Sequence, residues 1–412
     1  MQKIKEELKE RFFRYVAISS QSDAQNSKTP SSAGQLELAK LLSKELKSMG
    51  LEDIFIDEYS NLTALFKGAK KDAPKIGFVA HLDTVNIGLN AKIKPQVLNF
   101  VGEDLCLNKA ENIWLKVDEH KEILPYKNNE IIFSDGTNVL GADDKAAITT
   151  VMTLLNNIKD KKDEYGEIYI AFVPDEEIGL RGSKRLDLSR FKVDFAYTLD
   201  CCEIGEIAYE TFNAASVVID IKGVVTHPMS AKNILVNPII VMQDLLNCFD
   251  KQDTPEHTEG KEGYFYVTKI AANANSAKIN ISIRDFDKTS YEKRKNYIKE
   301  VVEKVQNVHK KAKISCEIED VYANIKDSLG NNNLPVDIIF EAMSNAGVKP
   351  KVLSMRGGTD GSALSACGIP TPNFFTGAHN FHSIYEFLPM NSFYKSYEVA
   401  SQIVKIVSKI KK

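Results

Sequence analysis

Three short apolar runs, each ending on or beside a histidine or an aspartate, constrain the fold of this chain more than any other feature. They read KIGFVAH at residues 75–81, EIYIAFV at residues 167–173 and DFAYTLD at residues 194–200. Runs this apolar are typical of strands buried on both faces, as in parallel sheets covered by helices. Helical patterns separate them, so we predict an α/β fold with a mixed, mostly parallel sheet flanked by helices. Functional side chains of such sheets gather where the strands end.

The pattern changes after residue 208, where strand and helix signals follow one another in the order βαββαβ. This order is that of a split βαβ sandwich. We therefore predict an α/β domain formed by residues 1–208 and 326–412, interrupted by an inserted α+β domain at residues 209–325. Residues 86–135 are polar and irregular, with weak strand signals, which predicts a long loop of the kind that is often functional.

Composition argues against several classes of function. The net charge is −3 over 412 residues, so no basic surplus indicates nucleic-acid binding. The first residues lack the apolar stretch of a signal peptide, and no apolar run reaches the roughly 18 residues of a membrane span. The six cysteines include no CxxC pair, which argues against a structural zinc knot or a disulfide framework. We expect a cytoplasmic protein without nucleic-acid or membrane partners.

The motif HLDTV at residues 81–85 places His81 and Asp83 two positions apart at a strand end, where they can share a face. A histidine that binds a metal through one nitrogen usually gives its other N–H to an oxygen acceptor. Asp83 is the candidate acceptor. Taken alone, the pair is better explained by a strand that ends in a hydrogen-bonded histidine.

The motif GADDKAA at residues 141–147 lies just before a helical pattern. The carboxylate of Asp143 can bridge two metal ions through its two oxygens. Taken alone, however, an aspartate at this place is more typical of a helix N-cap. Asp144 can serve as that cap while Asp143 faces a site.

Glu176 and Glu177 are adjacent, after Pro174 at a strand end. On a regular strand they would face opposite ways, so a shared site requires a turn. One glutamate can then bind metal while the other accepts a proton from a water molecule. The alternative is a solvated acidic loop.

Asp200 closes the last of the three apolar runs, and His379 and His382 lie near the C-terminus. Spacing does not choose between the two histidines, and both can be surface residues. Together with the preceding motifs, however, these residues form a set of spaced ligands around one sheet. The set predicts a site for two divalent metals that activates water, and therefore a hydrolase.

These motifs resemble the peptidase T family, the tripeptide aminopeptidases of the di-zinc aminoacylase and carboxypeptidase superfamily. The resemblance covers nearly the whole chain. It rests on AHLDT (80–84), LGADDKA (140–146), PDEEIG (174–179), NAAS (213–216), HP (227–228), TEGKEG (258–263), IRDFD (283–287), RGGTDG (356–361) and PNFFTG (372–377).

The resemblance implies two Zn²⁺ ions per subunit in the α/β domain, with the inserted domain acting as a lid. The implied ligands are His81 and Asp200 on one ion, Asp143 bridging both, and Glu177 and His382 on the other. The implied supporting residues are Glu176 as general base, Asp83 orienting His81, His227 stabilising the oxyanion, and Arg284 and Arg356 binding the substrate carboxylate. A cis peptide bond after Asp143 is also implied.

The substrate implied is a short peptide with a free N-terminus, cleaved after its first residue. Alternatives are a related dipeptidase, carboxypeptidase or N-acyl amino acid hydrolase, and a non-catalytic peptide- or metal-binding protein of the same fold. The chain departs from the family pattern at Cys201 and Cys202 and at SIYEF, residues 383–387. Its oligomeric state is left open, with a homodimer as the candidate assembly.

Overall fold

The apolar runs become strands in the computed structural model, which describes residues 1–411. The strands are β1 (Glu52–Ile56), β2 (Leu62–Phe66), β3 (Ile76–His81), β4 (Gln96–Phe100), β5 (Leu105–Asn108), β6 (Ile113–Leu115), β7 (Asn129–Phe133), β8 (Ile168–Val173), β9 (Phe195–Cys201), β10 (Glu206–Thr211), β11 (Asn213–Lys222), β12 (Tyr264–Ala272), β13 (Ser276–Asp285), β14 (Lys313–Tyr322), β15 (Lys351–Met355), β16 (Asn373–Phe375) and β17 (Phe387–Pro389). The helices are α1 (Gln2–Val16), α2 (Ala33–Ser48), α3 (Ala142–Ile158), α4 (Pro238–Leu246), α5 (Lys288–Val308), α6 (Ile325–Leu329), α7 (Leu334–Asn345), α8 (Asp360–Ala366) and α9 (Met390–Val407).

The chain folds into two compact units. The first unit contains Met1–Tyr209, Ser328–Leu353 and Thr359–Lys412, and the second contains Glu210–Asp327 and Ser354–Gly358. The short segment Ser354–Gly358 therefore belongs to the second unit, although its sequence position placed it in the α/β domain. No helix within residues 1–411 combines the length and the apolar character needed to cross a membrane.

The main sheet of the first unit has the order β1-β2-β8-β3-β9-β16-β10-β15. Strand β3 runs parallel to β8 and β9, and β9 runs parallel to β16, whereas β1, β2 and β10 pair in the antiparallel sense. Every residue of β3 and β8 is buried, as expected for strands covered on both faces. The predicted mixed, mostly parallel α/β sheet is confirmed.

The carboxyl ends of the central strands bring the candidate residues to one edge. His81 is the last residue of β3, Pro174 and Asp175 follow β8, and Asp200 lies one residue before the end of β9. Because these three strands are parallel neighbours, their ends meet at the same edge, where open α/β sheets place their sites.

Residues 86–135 contain more strand than the sequence predicted. Strands β4 and β7 form a three-stranded sheet with β17, and β5 pairs with β6. A separate apolar cluster stabilises this region; it includes Phe100, Leu115, Ile123, Phe133 and Phe387. The outer strand β17 comes from the far C-terminal part of the chain, so local sequence could not reveal this sheet.

The second unit has the predicted βαββαβ order, with an antiparallel sheet arranged β12-β13-β11-β14. Alternate residues of β11 and β13, such as Val217, Ile219, Ile279 and Ile281, are buried with side chains of α4 and α5. One face of this sheet is therefore covered by helices, and the intervening residues project from the opposite face.

Candidate metal centre

Asp143 lies at the centre of the candidate site. Its Oδ1 is 2.8 Å from Nε2 of His81, and its Oδ2 is 3.0 Å from Nε2 of His382. Nε2 of His382 is also 2.8 Å from Oε1 of Glu177. The two oxygens of one carboxylate thus face two imidazoles, which is the arrangement that a bridging ligand requires.

Two groups of side chains bring ligand atoms within 4.8 Å of one another: His81, Asp143 and Glu177, and Asp143, Asp144 and Asp200. Asp143 belongs to both groups. The grouping differs in detail from the pairing implied by the family resemblance, because His81 groups with Glu177, and Asp200 groups with Asp144. Asp143 and Asp144 have non-helical backbone angles at the start of α3. Oδ2 of Asp144 accepts the backbone N–H of His81 at 3.2 Å, and its Oδ1 has no hydrogen-bond partner, so this side chain caps no N–H group of the helix, contrary to the expectation.

The charges of these groups suit divalent cations. Burial opposes ionisation of Asp143, but hydrogen bonds from His382 and His81 hold the pKa of this carboxyl well below its usual range. Hydrogen bonds to Asp143 and Glu177 raise the pKa of His382 to about 10. Burial and the nearby charge of Asp143 raise the pKa of Asp200. The site therefore crowds carboxyl groups whose ionised forms a bound cation would favour, and its imidazole and carboxylate donors are those that bind zinc.

Asp83 connects His81 to the loop of residues 174–179, which carries Glu176 and Glu177 and is called the glutamate loop below. The Nδ1 atom of His81 lies 3.0 Å from the backbone oxygen of Asp83 and 3.4 Å from its Oδ1. The Asp83 carboxylate also accepts the backbone N–H groups of Glu176 at 3.0 Å and of Glu177 at 3.2 Å. The oxygen acceptors at Nδ1 favour the tautomer that leaves Nε2 free to bind metal. The same carboxylate fixes the turn that brings both glutamates together.

A second set of contacts anchors the glutamate loop to the N-terminal part of the chain. The carboxylate of Asp175 accepts two hydrogen bonds from Ser31, one from the backbone N–H at 2.8 Å and one from the side-chain hydroxyl at 2.5 Å. It accepts a third from Nε2 of Gln35 at 2.7 Å. In return, the backbone N–H of Asp175 donates to Oε1 of Gln35 at 2.9 Å. Asp175 has a left-handed φ of 57°, which turns the chain directly before Glu176. Sequence reasoning missed Ser31 and Gln35.

Glu386 supports the backbone around the central aspartate. This buried carboxyl accepts the N–H groups of Gly141 at 2.7 Å and Asp143 at 3.1 Å. Burial, assisted by the charge of Asp143, raises the pKa of Glu386 to about 8. The peptide bond between Asp143 and Asp144 is cis, which confirms that expectation.

Two further buried ionisable groups flank the site, and sequence reasoning did not single out either. The ammonium group of Lys145 donates to the backbone oxygen of Ile18 at 2.8 Å, and burial lowers the pKa of this lysine to about 7. Burial raises the pKa of Asp360, at the start of α8, to about 7. Both residues sit in quoted motifs, but only the fold reveals that they are buried.

The structure distinguishes the two C-terminal histidines. The ring of His379 stacks on Phe387 at 4.7 Å, and its Nε2 lies 2.7 Å from the hydroxyl of Tyr126. Burial lowers the pKa of His379 to about 4. His382, by contrast, contacts Asp143 and Glu177, and is thus the histidine that joins the cluster.

Cys201 and Cys202, where the sequence departs from the family pattern, form no disulfide. Cys201 is buried in β9, and burial raises the pKa of both Cys201 and Cys202. Neither belongs to a potential ligand group within residues 1–411.

The remaining candidate residues lie in the second unit. His227 is exposed, and its Nδ1 accepts the backbone N–H of Met229 at 3.2 Å. Arg284 projects from β13, and Arg356 lies in the segment Ser354–Gly358. Both arginines are partly buried.

Known proteins resemble this chain over nearly its whole length. The model of peptidase family M20/M25/M40 matches residues 125–406. A peptidase T-like protein of Yersinia pestis is 58% identical over 400 residues, covering 97% of each chain. Peptidase T of Geobacillus kaustophilus is 41% identical over 406 residues, covering 98% of each chain. The crystal structure of a tripeptidase from Staphylococcus aureus, 22% identical, has the same fold, with a TM-score of 0.74 over 98% of this chain and 99% of that one.

Proposed function

Because the chain belongs to peptidase family M20/M25/M40 and is a peptidase of the peptidase T kind, we propose that it is a two-zinc aminopeptidase that releases the first residue of tripeptides. The observation that carries the proposal is the position of Asp143 between His81 and His382, with Glu177 against His382. The names of the relatives support the choice of a tripeptide as substrate.

The proposed zinc ligands are the five residues named by the resemblance: His81, Asp143, Glu177, Asp200 and His382. When bound there, two zinc ions would polarise the scissile carbonyl and make water a better nucleophile. Asp83 would keep His81 in the tautomer with Nε2 directed at the site.

Glu176 is the proposed general base. Its carboxylate would take a proton from the attacking water and return it to the leaving amine nitrogen as the C–N bond breaks. The backbone of Glu176 is held by Asp83 at 3.0 Å and is adjacent to that of Glu177. The base and a metal ligand would therefore be fixed by the same turn, which sets where the water is deprotonated.

The second unit is proposed to recognise the substrate. His227 would donate a hydrogen bond to the oxyanion, from its own chain or from a partner chain of a homodimer. Arg284 and Arg356 are the candidate partners for the peptide carboxylate, because guanidinium groups pair with carboxylates through two hydrogen bonds. A carboxylate grip at a fixed distance from the cleaved bond would select peptides by length. A cytoplasmic setting remains a prediction.

The test is turnover of Leu-Gly-Gly beside Leu-Gly, Leu-Gly-Gly-Gly and N-acetyl-leucine, with release of leucine followed by chromatography. We expect cleavage of the tripeptide alone, loss of that activity with a chelator, and recovery with zinc. Cleavage of the dipeptide or the acyl amino acid instead would replace the tripeptidase proposal with a related hydrolase. Binding of zinc without cleavage of any substrate would favour a binding protein.

A further inference from the structure

One loop near the C-terminus, residues 379–387, contacts Asp143 in two ways and is called the histidine loop below. Nε2 of His382 lies 3.0 Å from Oδ2 of Asp143. Four residues later, the carboxyl group of Glu386 accepts the backbone N–H of Asp143 at 3.1 Å. A displacement of this loop would therefore move a proposed zinc ligand and a support of the central aspartate together.

The backbone of the histidine loop turns sharply on both sides of Phe381. Asn380 has a φ of 57° and His382 a φ of 63°, so both lie in the left-handed region. Residues other than glycine adopt this conformation at a cost in free energy, and it persists only where neighbouring contacts hold it. The position of His382 therefore depends on the contacts that hold the start of the turn at Asn380.

The side chain of Asn380 is held by a segment that is distant in sequence. Its Nδ2 donates to Oε1 of Glu122 at 2.6 Å and also lies 3.3 Å from the backbone oxygen of Tyr385. Oε1 of Glu122 lies 3.0 Å from Nδ1 of His120 as well. Burial opposes ionisation of Glu122, but the hydrogen bonds from Asn380 and His120 lower the pKa of this carboxyl. An ionised acceptor makes a stronger hydrogen bond than a neutral one.

Glu122 lies on a well-packed part of the first unit. It belongs to a 3-10 helix, Lys121–Tyr126, in which the next residue, Ile123, is fully buried. Ile123 packs in the apolar cluster of the small sheet of β4, β7 and β17, and Phe387 at the end of the histidine loop belongs to the same cluster. Residues 86–135 have no part in the proposed chemistry, yet they supply an anchor for the loop that carries His382.

Two further contacts join this segment to the histidine loop. The ring centre of Tyr385 lies 4.5 Å from that of His120, and the hydroxyl of Tyr126 lies 2.7 Å from Nε2 of His379. Tyr385 belongs to SIYEF, residues 383–387, where the sequence departs from the family pattern. Part of that departure therefore packs on the anchoring segment and leaves the proposed ligands unchanged.

We propose that Glu122 is a positioning residue for His382: by holding Asn380, it fixes the turn that presents this imidazole to Asp143 and Glu177. The inference rests on the proposed two-zinc centre and adds to it a residue outside the quoted motifs. Because the side-chain partners of Glu122 are His120 and Asn380, its effect on zinc would pass through the histidine loop.

The proposal predicts an unequal effect on the two ions. Loss of Glu122 should weaken the zinc ion assigned to Glu177 and His382 much more than the ion assigned to His81 and Asp200. A residue that served only general stability would have no reason to distinguish between the two.

The experiment titrates zinc into metal-free wild-type protein and into three variants, with a chromophoric chelator as competitor. Glu122→Ala is expected to weaken one of the two binding steps by roughly 10- to 100-fold, as for other residues that orient metal ligands, and to leave the other step nearly unchanged. Glu122→Gln should recover part of the loss, because its amide oxygen can still accept from Asn380. Glu119→Ala removes an exposed glutamate three residues earlier and should bind both ions as the wild type does.

A double-mutant cycle tests whether the effect passes through His382. In a His382→Ala background, Glu122→Ala should cause no further loss of zinc affinity, because the side chain that it positions is already absent. An equal loss in both backgrounds, or equal weakening of both binding steps in Glu122→Ala, would overturn the proposal.

Hydrogen exchange of residues 379–386 in the metal-free protein provides a readout that needs neither zinc nor activity. We expect faster exchange there in Glu122→Ala and unchanged exchange in Glu119→Ala. Unchanged exchange in Glu122→Ala would contradict the anchoring role. If the wild-type protein binds no zinc, the two-zinc proposal fails, and the exchange measurement still decides whether Glu122 holds the histidine loop.

Discussion

At the scale of single residues, Asp83 has two roles that one substitution can test. Its carboxylate accepts two backbone N–H groups and lies 3.4 Å from His81. In Asp83→Asn the amide nitrogen cannot accept, so at least one of these bonds is lost. We expect zinc affinity and kcat to fall by about 10- to 100-fold, as for other residues that orient metal ligands. Metal titration and steady-state kinetics would check this, and unchanged values would show that backbone contacts alone orient His81.

Glu176 and Glu177 form a matched pair for testing the roles of base and ligand. Glu176→Gln should keep zinc and lose about 10²- to 10⁴-fold in kcat, because the amide cannot take up a proton. Glu177→Gln should lower the zinc content as well. Metal analysis of both purified variants, beside their turnover, distinguishes the roles. A Glu176→Gln enzyme with near-normal turnover would remove the base assignment.

His379 should make stability depend on pH. Burial lowers its pKa from 6.5 to about 4, so the folded state keeps the ring neutral while the unfolded state protonates below about 6.5. The stability that the neutral ring contributes is fully present above the pKa of His379 in the unfolded state. It is lost as the pH falls towards the pKa of His379 in the folded state. In His379→Phe, the unfolding free energy should therefore fall less steeply from pH 6.5 to 5 than in the wild type. Urea unfolding with a chelator present measures both slopes, and equal slopes would contradict the prediction.

At the scale of elements, the glutamate loop depends on α2. Gln35→Leu removes both hydrogen bonds between Gln35 and Asp175, which leaves buried polar groups without partners. We expect a loss of about 1–3 kcal/mol in unfolding free energy, together with a lower kcat, because the same loop carries Glu176. Lys40→Gln, an exposed change on the same helix, is the control and should alter neither. Unfolding curves and kinetics of both variants provide the test.

How far an element could be predicted depended on whether its signal was local. Strands β3, β8 and β9 were predicted because continuous apolar runs identify buried strands. The sheet of β4, β7 and β17 was not, because its strands are short and one of them comes from residues 387–389. The contacts of Asp175 with Ser31 and of Glu386 with Gly141 join residues far apart in sequence. No local pattern encodes such pairings, so the candidate ligands could be named from the sequence, whereas Ser31, Gln35 and Glu386 could not.

At the scale of the whole molecule, all five proposed zinc ligands lie in the first unit. Removing metal should therefore leave that unit with crowded carboxylates and lower its stability, since metal binding contributes folding free energy. We expect hydrogen exchange to speed up around residues 141–146 and 174–180 in chelator, with smaller changes in the sheet of the second unit. Equal changes in both units, or none, would argue against a metal centre confined to the first.

The segment Ser354–Gly358 has a consequence for how such proteins can be recombined. Because this segment joins the second unit from a separate part of the chain, a continuous fragment of residues 210–327 would lack Arg356. Arg356 donates hydrogen bonds to the loop of residues 258–263. A chimera that exchanged only the insertion between two relatives would therefore combine this loop from one parent with the arginine of the other. The second unit thus consists of a long insertion and a distant five-residue segment. A chimera should take both from the same parent.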